Sequence, residues 1–367
     1  MRIYYDHQLT SLQDAGGASR YQYELLRYLD RVPNVHTTAF LGLNSSVCPY
    51  LQLASPKTNV VSFRGPLRKG ARRYAVNEAL ANASALFSGK FDIYHPSHHR
   101  ILPFVSARSL VATHHDCIYE RFPVFRFVKQ VLRAKQRLFA AADLIICISE
   151  SSRADLLHFH AVDPAKTRVI HQGFTRLPRS PEGAKELALR IRRDYILYVS
   201  GRSTYKNFRG LVQAFRDTRL HQSLDLLVVG GGPFSADERD LIAKLGIADS
   251  IVAIQLADDA LLAEAYARAR LLAYPSLFEG FGLPPLEAMY LGCPVLVCNS
   301  SSLPEVCGDA AFYYEPDSPE SLNEMLLRAV QDEPARTQAI ARGHVVAARF
   351  SWEKCAEQTL AVYRECL

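Results

Sequence analysis

No run of about 18 apolar residues occurs in this 367-residue chain, so no membrane-spanning helix is expected. The opening MRIYYDHQL places an acid and a histidine where a secretory leader needs its apolar core. None of the 8 cysteines forms a C-x-x-C pair, which removes the usual zinc-ribbon and dithiol signatures. Scattered as they are, they read as reduced, structural thiols of a cytoplasmic protein. No G-x-G-x-x-G followed by an acid is present, which argues against a nicotinamide cofactor. No tandem repeat of 20–50 residues is visible.

What remains is a globular composition, 49% hydrophobic and 22% charged, long enough for two domains. The formal net charge of +6 is unevenly spread. Residues 1–185 carry 25 Lys/Arg against 13 Asp/Glu, a balance of +12, and residues 186–367 carry 18 against 24, a balance of −6. Two basic runs stand out: Arg64, Arg68, Lys69, Arg72 and Arg73, then Arg126, Lys129, Arg133, Lys135 and Arg137. The second run has helical spacing with Phe127, Val131, Leu132 and Leu138 interleaved. It reads either as a solvated face over a core stripe or as a peripheral contact with an anionic membrane or phosphate-bearing acceptor. Aromatic residues do not cluster with these charges, so nucleic acid is not an expected partner.

The chain alternates short apolar runs with amphipathic segments. In the first half, strands are expected at Arg2–Tyr5, Val35–Leu41, Val60–Phe63, Ile93–His95, Ser109–His114 and Leu144–Ile148. Helices are expected near 18–30, 74–87, 126–141 and 149–158. Pro178, Pro181 and Gly183 mark the 180s as a linker. The pattern then restarts: strand Tyr195–Ser200, turn Gly201–Lys206, helix Phe208–Phe215, and strand Leu224–Val229 ending in Gly230-Gly231-Gly232-Pro233. Strands at Ile251–Ile254, Leu271–Tyr274 and Pro294–Val297 follow, and from Ser318 the chain is helical nearly throughout. Such alternation predicts an α/β chain with a parallel sheet in each half. Ligands of open parallel sheets bind beyond the carboxyl ends of the strands, so two such units are expected to share one cleft.

The most informative stretch is Tyr274–Pro294, YPSLFEGFGLPPLEAMYLGCP. A strand ends at Tyr274, a loop carries Glu279, Gly280, Phe281 and Gly282, and Pro284-Pro285 opens a helix. Glycines 280 and 282 allow close backbone approach, and the helix start attracts anions such as a diphosphate. Glu279 and Glu287, eight residues apart, are separated by up to roughly 12 Å at helical rise. That exceeds the about 5–9.5 Å of a glycosidase carboxylate pair and suits gripping two ends of one elongated ligand.

E-G-F-G-L-P-P-L-E-A-M resembles the signature of retaining nucleotide-sugar glycosyltransferases of the GT-B fold, family 4, glycosyl transferases group 1. YVSGRSTYKNF (198–208), VVGGGPF (228–234), SLPEVCGDA (302–310), FSWE (350–353) and Gly16-Gly17 before a helix extend the resemblance over nearly the whole chain. It implies two Rossmann-like domains facing across a cleft: an acceptor domain at 1–185, a nucleotide-sugar domain at 186–349, and a final helix at 350–367 returning to the first domain. It implies further that Glu279 holds donor-sugar hydroxyls and that amides near Gly280, Phe281, Gly282 and Leu283 meet the sugar and diphosphate. Glu287 would take the ribose, Arg202 and Lys206 the diphosphate charge, and Gly16 and Gly17 the same group from the first domain. Thr113, His115 and Asp116 match a family T-x-H-D segment opposite the donor, where His115 would position the acceptor or touch the sugar. His114 is its neighbour, and His95, His98 and His99 read as a polar loop at the cleft rim.

No Asp-x-Asp pair is present to hold a divalent ion on a donor diphosphate, so metal independence is expected, with no cofactor beyond the co-substrate. The implied reaction moves a hexosyl unit from a GDP- or UDP-linked donor to a hydroxyl of a glycan or lipid-linked acceptor, in cell-surface polysaccharide biosynthesis at the cytoplasmic membrane face. A nucleotide-sugar epimerase on a similar scaffold and a catalytically silent carbohydrate-binding protein are the alternatives.

Overall fold

The computed structural model describes residues 1–12, 16–44, 58–64, 70–122, 127–255 and 258–367. The chain divides into two compact units, Met1–Gly173 with Ser351–Leu367, and Phe174–Phe350.

The first unit is built on seven parallel strands: β1 (Arg2–Tyr5), β2 (His36–Asn44), β3 (Thr58–Arg64), β4 (Phe91–His95), β5 (Ala107–His114), β6 (Leu144–Cys147) and β7 (Thr167–Val169). Their order is β3-β2-β1-β4-β5-β6-β7. Alternate side chains serve opposite faces. On one face Ile3, Tyr5, Val111 and Ile146 pack against Tyr21, Leu25 and Leu29 of the helix Gly17–Leu29 and against Leu360 and Tyr363 of the helix Trp352–Glu365. On the other face Tyr4 and Phe40 meet Ala81 of the helix Ala71–Phe87, while Ala112 and Ile145 meet Leu138 of the helix Val128–Ala141. Right-handed crossovers leading the same way along the sheet place those last two helices on one side of it.

The second unit repeats the plan with six parallel strands: β8 (Tyr195–Val199), β9 (Asp225–Val229), β10 (Ile251–Ile254), β11 (Leu271–Tyr274), β12 (Val295–Cys298) and β13 (Ala311–Tyr314), ordered β10-β9-β8-β11-β12-β13. Strands β9, β11 and β12 are buried along their whole length. This is why β11 and β12 read as unbroken apolar runs and β9 as one after Asp225: helices cover both faces of a parallel sheet. In each unit the order reverses beside its first strand, and that switch point opens a crevice at the carboxyl ends.

Three expectations need correction. The first domain does not run to 185, because the break falls after Gly173. The 180s are not a linker but the helix Pro181–Arg190, whose N-cap Ser180 accepts the Gly183 amide at 3.0 Å. Proline in a first turn and a serine cap start a helix, though their composition resembles a loop. Lys135 does not share the solvated face of its helix: it is wholly buried, whereas Lys129, Arg133 and Arg137 are exposed. Arg68, Lys69 and Arg126 lie outside the described residues.

Candidate active site

At the switch point of the second unit, the loop after β8 meets the loop after β11. Thr204–Lys206 forms a 3-10 turn that ends on Asn207, held in the left-handed region at φ 51°. This delivers Lys206 Nζ to within 2.6 Å of Glu279 Oε1, with side-chain exposures of 14% and 10%. The ammonium also lies 5.1 Å and 5.7 Å from the ring centres of Tyr205 and Tyr274. Burial, reinforced by the Glu279 carboxylate, pushes the Tyr274 phenol well above its ordinary range, so it stays a neutral hydrogen-bonding group.

Glu279 is fixed through its backbone. Its amide donates to Ser301 Oγ at 3.0 Å, and Ser302 Oγ donates to the carbonyls of Glu279 and Phe281 at 3.0 and 2.8 Å. Gly282, at φ 114°, then turns the chain into the helix Leu283–Tyr290. A Cβ there would meet Leu303 at 3.0 Å and require a backbone conformation that L-residues avoid. Pro284 and Pro285 carry no N–H, so Leu283 supplies the one amide donor among the first three helical positions. The expected anion site at this helix start therefore narrows to amides in and just before its first residue. Glu287, half-buried in the same helix, accepts a hydrogen bond of 3.0 Å from the buried Tyr266 hydroxyl, which sets its rotamer.

Arg202 is engaged differently from Lys206. Its Nε donates to Glu238 at 2.9 Å, and Nη1 and Nη2 donate to the carbonyls of Gly230, Gly231, Gly232 and Pro233 at 2.6, 3.2, 2.9 and 2.8 Å. Direct contact with a diphosphate would require some of these bonds to be given up. Spacing in the sequence does not reveal Tyr266, Tyr274 or Glu238, each of which comes from a separate element. A short strand before a motif helix was the one available signal for Tyr274.

In the first unit Gly16, extended at φ 164°, caps the helix that begins at Gly17. His115 follows β5 and packs edge-on against Tyr21, with ring centres 5.4 Å apart. Burial and then the charge of Lys135 lower its pKa to about 4, so at neutral pH it is an uncharged imidazole. His95 ends β4, with Nδ1 2.5 Å from the Tyr363 hydroxyl and Nε2 2.8 Å from Thr113. His98 and His99 lie with ring centres 3.8 Å apart, their planes tilted by 39°. His114 is turned into the core, with Nε2 3.6 Å from Cys117 Sγ. Cys117, Glu120 and His160 bring ligand-type atoms within 4.8 Å of one another. Lys135 Nζ, however, sits 2.7 Å from Glu120 and donates to the Asp116 carbonyl at 2.8 Å. An ammonium thus fills the cationic position among those ligands.

Known proteins resemble the chain along nearly its whole length. Residues 15–175 match the model of Glycosyltransferase Family 4 and residues 181–345 that of Glycosyl transferases group 1. The chain is 30% identical to O-antigen chain mannosyltransferase B of Escherichia coli, over 95% of this chain and 96% of that protein. Among solved structures, a sucrose-phosphate synthase from Thermosynechococcus elongatus superposes with TM-score 0.81 at 22% identity, covering 99% of this chain and 98% of that one. Anabaena HepE in complex with UDP-glucose superposes at 0.77 and 19% identity, covering both chains fully. The chain belongs to the group 1 glycosyl transferases, family 4, of GT-B fold, and it is a glycosyltransferase.

Proposed function

We propose that the protein transfers a hexosyl unit, mannosyl above all, from a nucleoside-diphosphate sugar to a hydroxyl of a growing glycan, with retention at the anomeric carbon and without a metal ion. The observation that carries this is the Lys206–Glu279 pair at the switch point of the second unit. A carboxylate gripping sugar hydroxyls beside an ammonium that meets the departing diphosphate needs no protein nucleophile. Positioning and charge stabilisation supply the rate. Glu287, held by Tyr266, takes the ribose, and the amides of Gly280, Phe281, Gly282 and Leu283 line the sugar and diphosphate. In the first unit, the family resemblance assigns the helix start at Gly16-Gly17 to the diphosphate and neutral His115 to the acceptor or the sugar. The mannosyl assignment and the place in polysaccharide synthesis rest on the E. coli O-antigen relative.

The acceptor is lipid-linked in this reading, and the enzyme works peripherally at the cytoplasmic membrane face. Its support is the exposed row Lys129, Arg133 and Arg137, on the same side of the sheet as the helix Ala71–Phe87, which exposes Val76, Leu80, Leu86 and Phe87. A basic row on the same side of the sheet as an apolar one suits an anionic interface.

The test is turnover with GDP-mannose, UDP-glucose and related donors, with and without EDTA, followed by NMR of the product anomer. Retained configuration and activity in EDTA are expected. An inverted product, or loss in EDTA restored by Mn²⁺, would overturn the mechanism proposed.

A further inference from the structure

A line of side-chain hydrogen bonds runs through the core of the first unit and joins the last helix to the end of β5. Tyr5 ends β1, His95 ends β4 and Thr113 stands in β5, while Tyr21 and Tyr363 come from the helices Gly17–Leu29 and Trp352–Glu365. All are buried. The Tyr5 and Tyr363 hydroxyls lie 2.5 Å apart, and the Tyr363 hydroxyl is 2.5 Å from His95 Nδ1. His95 Nε2 is 2.8 Å from the Thr113 hydroxyl, which is 3.2 Å from that of Tyr21.

Counting protons gives this line a direction. Each hydroxyl has one proton to donate, and a neutral imidazole has one N–H. These groups hold one proton more than they have links, so one proton must leave at an end. Among the described residues the Tyr5 hydroxyl bonds to Tyr363 alone, so the Tyr5 end offers no way out. At the other end, Tyr21 has the Thr359 hydroxyl as a further hydrogen-bonding neighbour. Thr359, wholly buried, gives its own proton to the Cys355 carbonyl at 2.8 Å, so it can only accept from Tyr21. The Tyr21 proton is then in use, and Thr113 must donate to Tyr21. Thr113 in turn accepts from His95 Nε2–H, the bare Nδ1 accepts from Tyr363, and Tyr363 accepts from Tyr5. The opposite order would strand the Tyr5 proton in the interior with no acceptor, which buried donors avoid.

The line ends beside the residue expected to meet substrate. His115 lies two positions after Thr113, and its ring meets that of Tyr21 edge-on with centres 5.4 Å apart. Which nitrogen of an imidazole carries its proton is set by the bond that the other nitrogen makes.

We propose that Tyr363 is a positioning residue: its hydroxyl holds His95 as the Nε2–H tautomer and so directs Thr113 and Tyr21, which set His115 in place. The inference rests on the glycosyl-transfer reading above, in which His115 meets the acceptor or the sugar. It gives the final helix a part in the site that it does not itself enter.

The full chain, labelled with ¹⁵N-histidine, is studied by NMR through the couplings of each ring nitrogen to the carbon-bound ring protons, which tell a protonated nitrogen from a bare one. Among its 12 histidines, His95→Gln and His115→Gln identify the two signals by their loss. Wild type should show His95 protonated at Nε2 and bare at Nδ1, a measurement that needs no further variant. Tyr363→Phe removes the donor to Nδ1. It should mix the tautomers, shift the His115 signals and lower turnover of GDP-mannose with methyl α-mannoside roughly tenfold, as slight misplacement of a site residue does. Tyr5→Phe removes a hydroxyl from the same buried pair but leaves Tyr363 free to donate. It should keep the tautomer, the His115 signals and near wild-type turnover, whereas lost packing would affect both variants alike. An Nδ1–H tautomer in the wild type overturns the inference. So do His115 signals or turnover unmoved in Tyr363→Phe, or a Tyr5→Phe variant equally impaired. If the wild type turns over no sugar nucleotide, the transferase reading fails, and the His95 tautomer and the His115 response still decide the positioning role.

Discussion

The two carboxylates of the candidate site, Glu279 and Glu287, differ in what holds them, and the difference separates their expected phenotypes. Glu279 pairs with Lys206 and is fixed by Ser301 and Ser302 through its backbone, so its side chain can be removed without unfolding the loop. Glu279→Ala should lower turnover by roughly 10²–10³-fold, the scale of losing one transition-state contact, while leaving nucleoside diphosphate affinity within a few fold. Glu287→Ala should instead weaken nucleotide binding, with calorimetry and turnover read side by side. Wild-type turnover in Glu279→Ala would remove it from the donor site. Both glutamates were legible in the sequence because one strand–loop–helix segment carries them. The partners of Arg202 were not, since they lie 28 or more residues away and depend on where β9 ends.

At the scale of elements, the loop after β11 leans on one buried hydroxyl. Ser302 Oγ serves two carbonyls, and Ser302→Ala removes that donor from both. A buried carbonyl that loses its donor costs about 1–3 kcal/mol, so a lower unfolding midpoint in denaturant is expected, together with reduced turnover from a misplaced Glu279. The helix Val128–Ala141 gives a second expectation. Lys129, Arg133 and Arg137 recur every fourth residue on its exposed face, each worth on the order of 1 kcal/mol near an anionic leaflet. Wild type should co-sediment with anionic liposomes at low salt and be released at high salt. The threefold change to Ala should bind less and still take up nucleotide, and equal binding would make this an ordinary solvated face. Sequence periodicity placed this helix correctly but counted Lys135 among its solvent charges. The ammonium's burial is set by Glu120 and Asp116, which precede the helix and whose approach no local pattern encodes. Two short strands escaped: β7, Thr167–Val169, has one apolar residue among its 3, and β13, Ala311–Tyr314, follows directly on the SLPEVCGDA segment with no turn signal to set it apart.

Across the whole molecule, the histidines of the first unit make stability depend on pH. Burial, then the charge of His115, lowers the His95 pKa to about 3, and burial, then Lys135, holds His114 well below its usual value. Below about pH 6.5 the unfolded chain binds protons that the folded one refuses, so stability falls as pH drops toward the folded values. The slope reaches about 1.4 kcal/mol per pH unit for each such group. Denaturant midpoints measured from pH 7 to 4.5 should decline, and His95→Gln should flatten the decline. A midpoint independent of pH in this window would mean the imidazoles titrate normally. The alternation of strands and helices announced two α/β units, yet their limits were misread by a dozen residues. The break at Gly173 is set by packing: a Cβ there would lie 2.1 Å from the Trp352 backbone nitrogen, a close approach that no residue near 173 advertises.

That contact brings together two points of the chain 179 positions apart, and it has a consequence for synthesis on the ribosome. The first unit is written in two instalments, Met1–Gly173 and Ser351–Leu367, with the other unit between them. Translation proceeds from the amino end, so the second unit is fully synthesised before the helix that buries Leu360 and hydrogen-bonds Tyr363 to His95. During that interval the sheet carrying the histidines has an unsealed apolar face, and the unit made first is the one finished last.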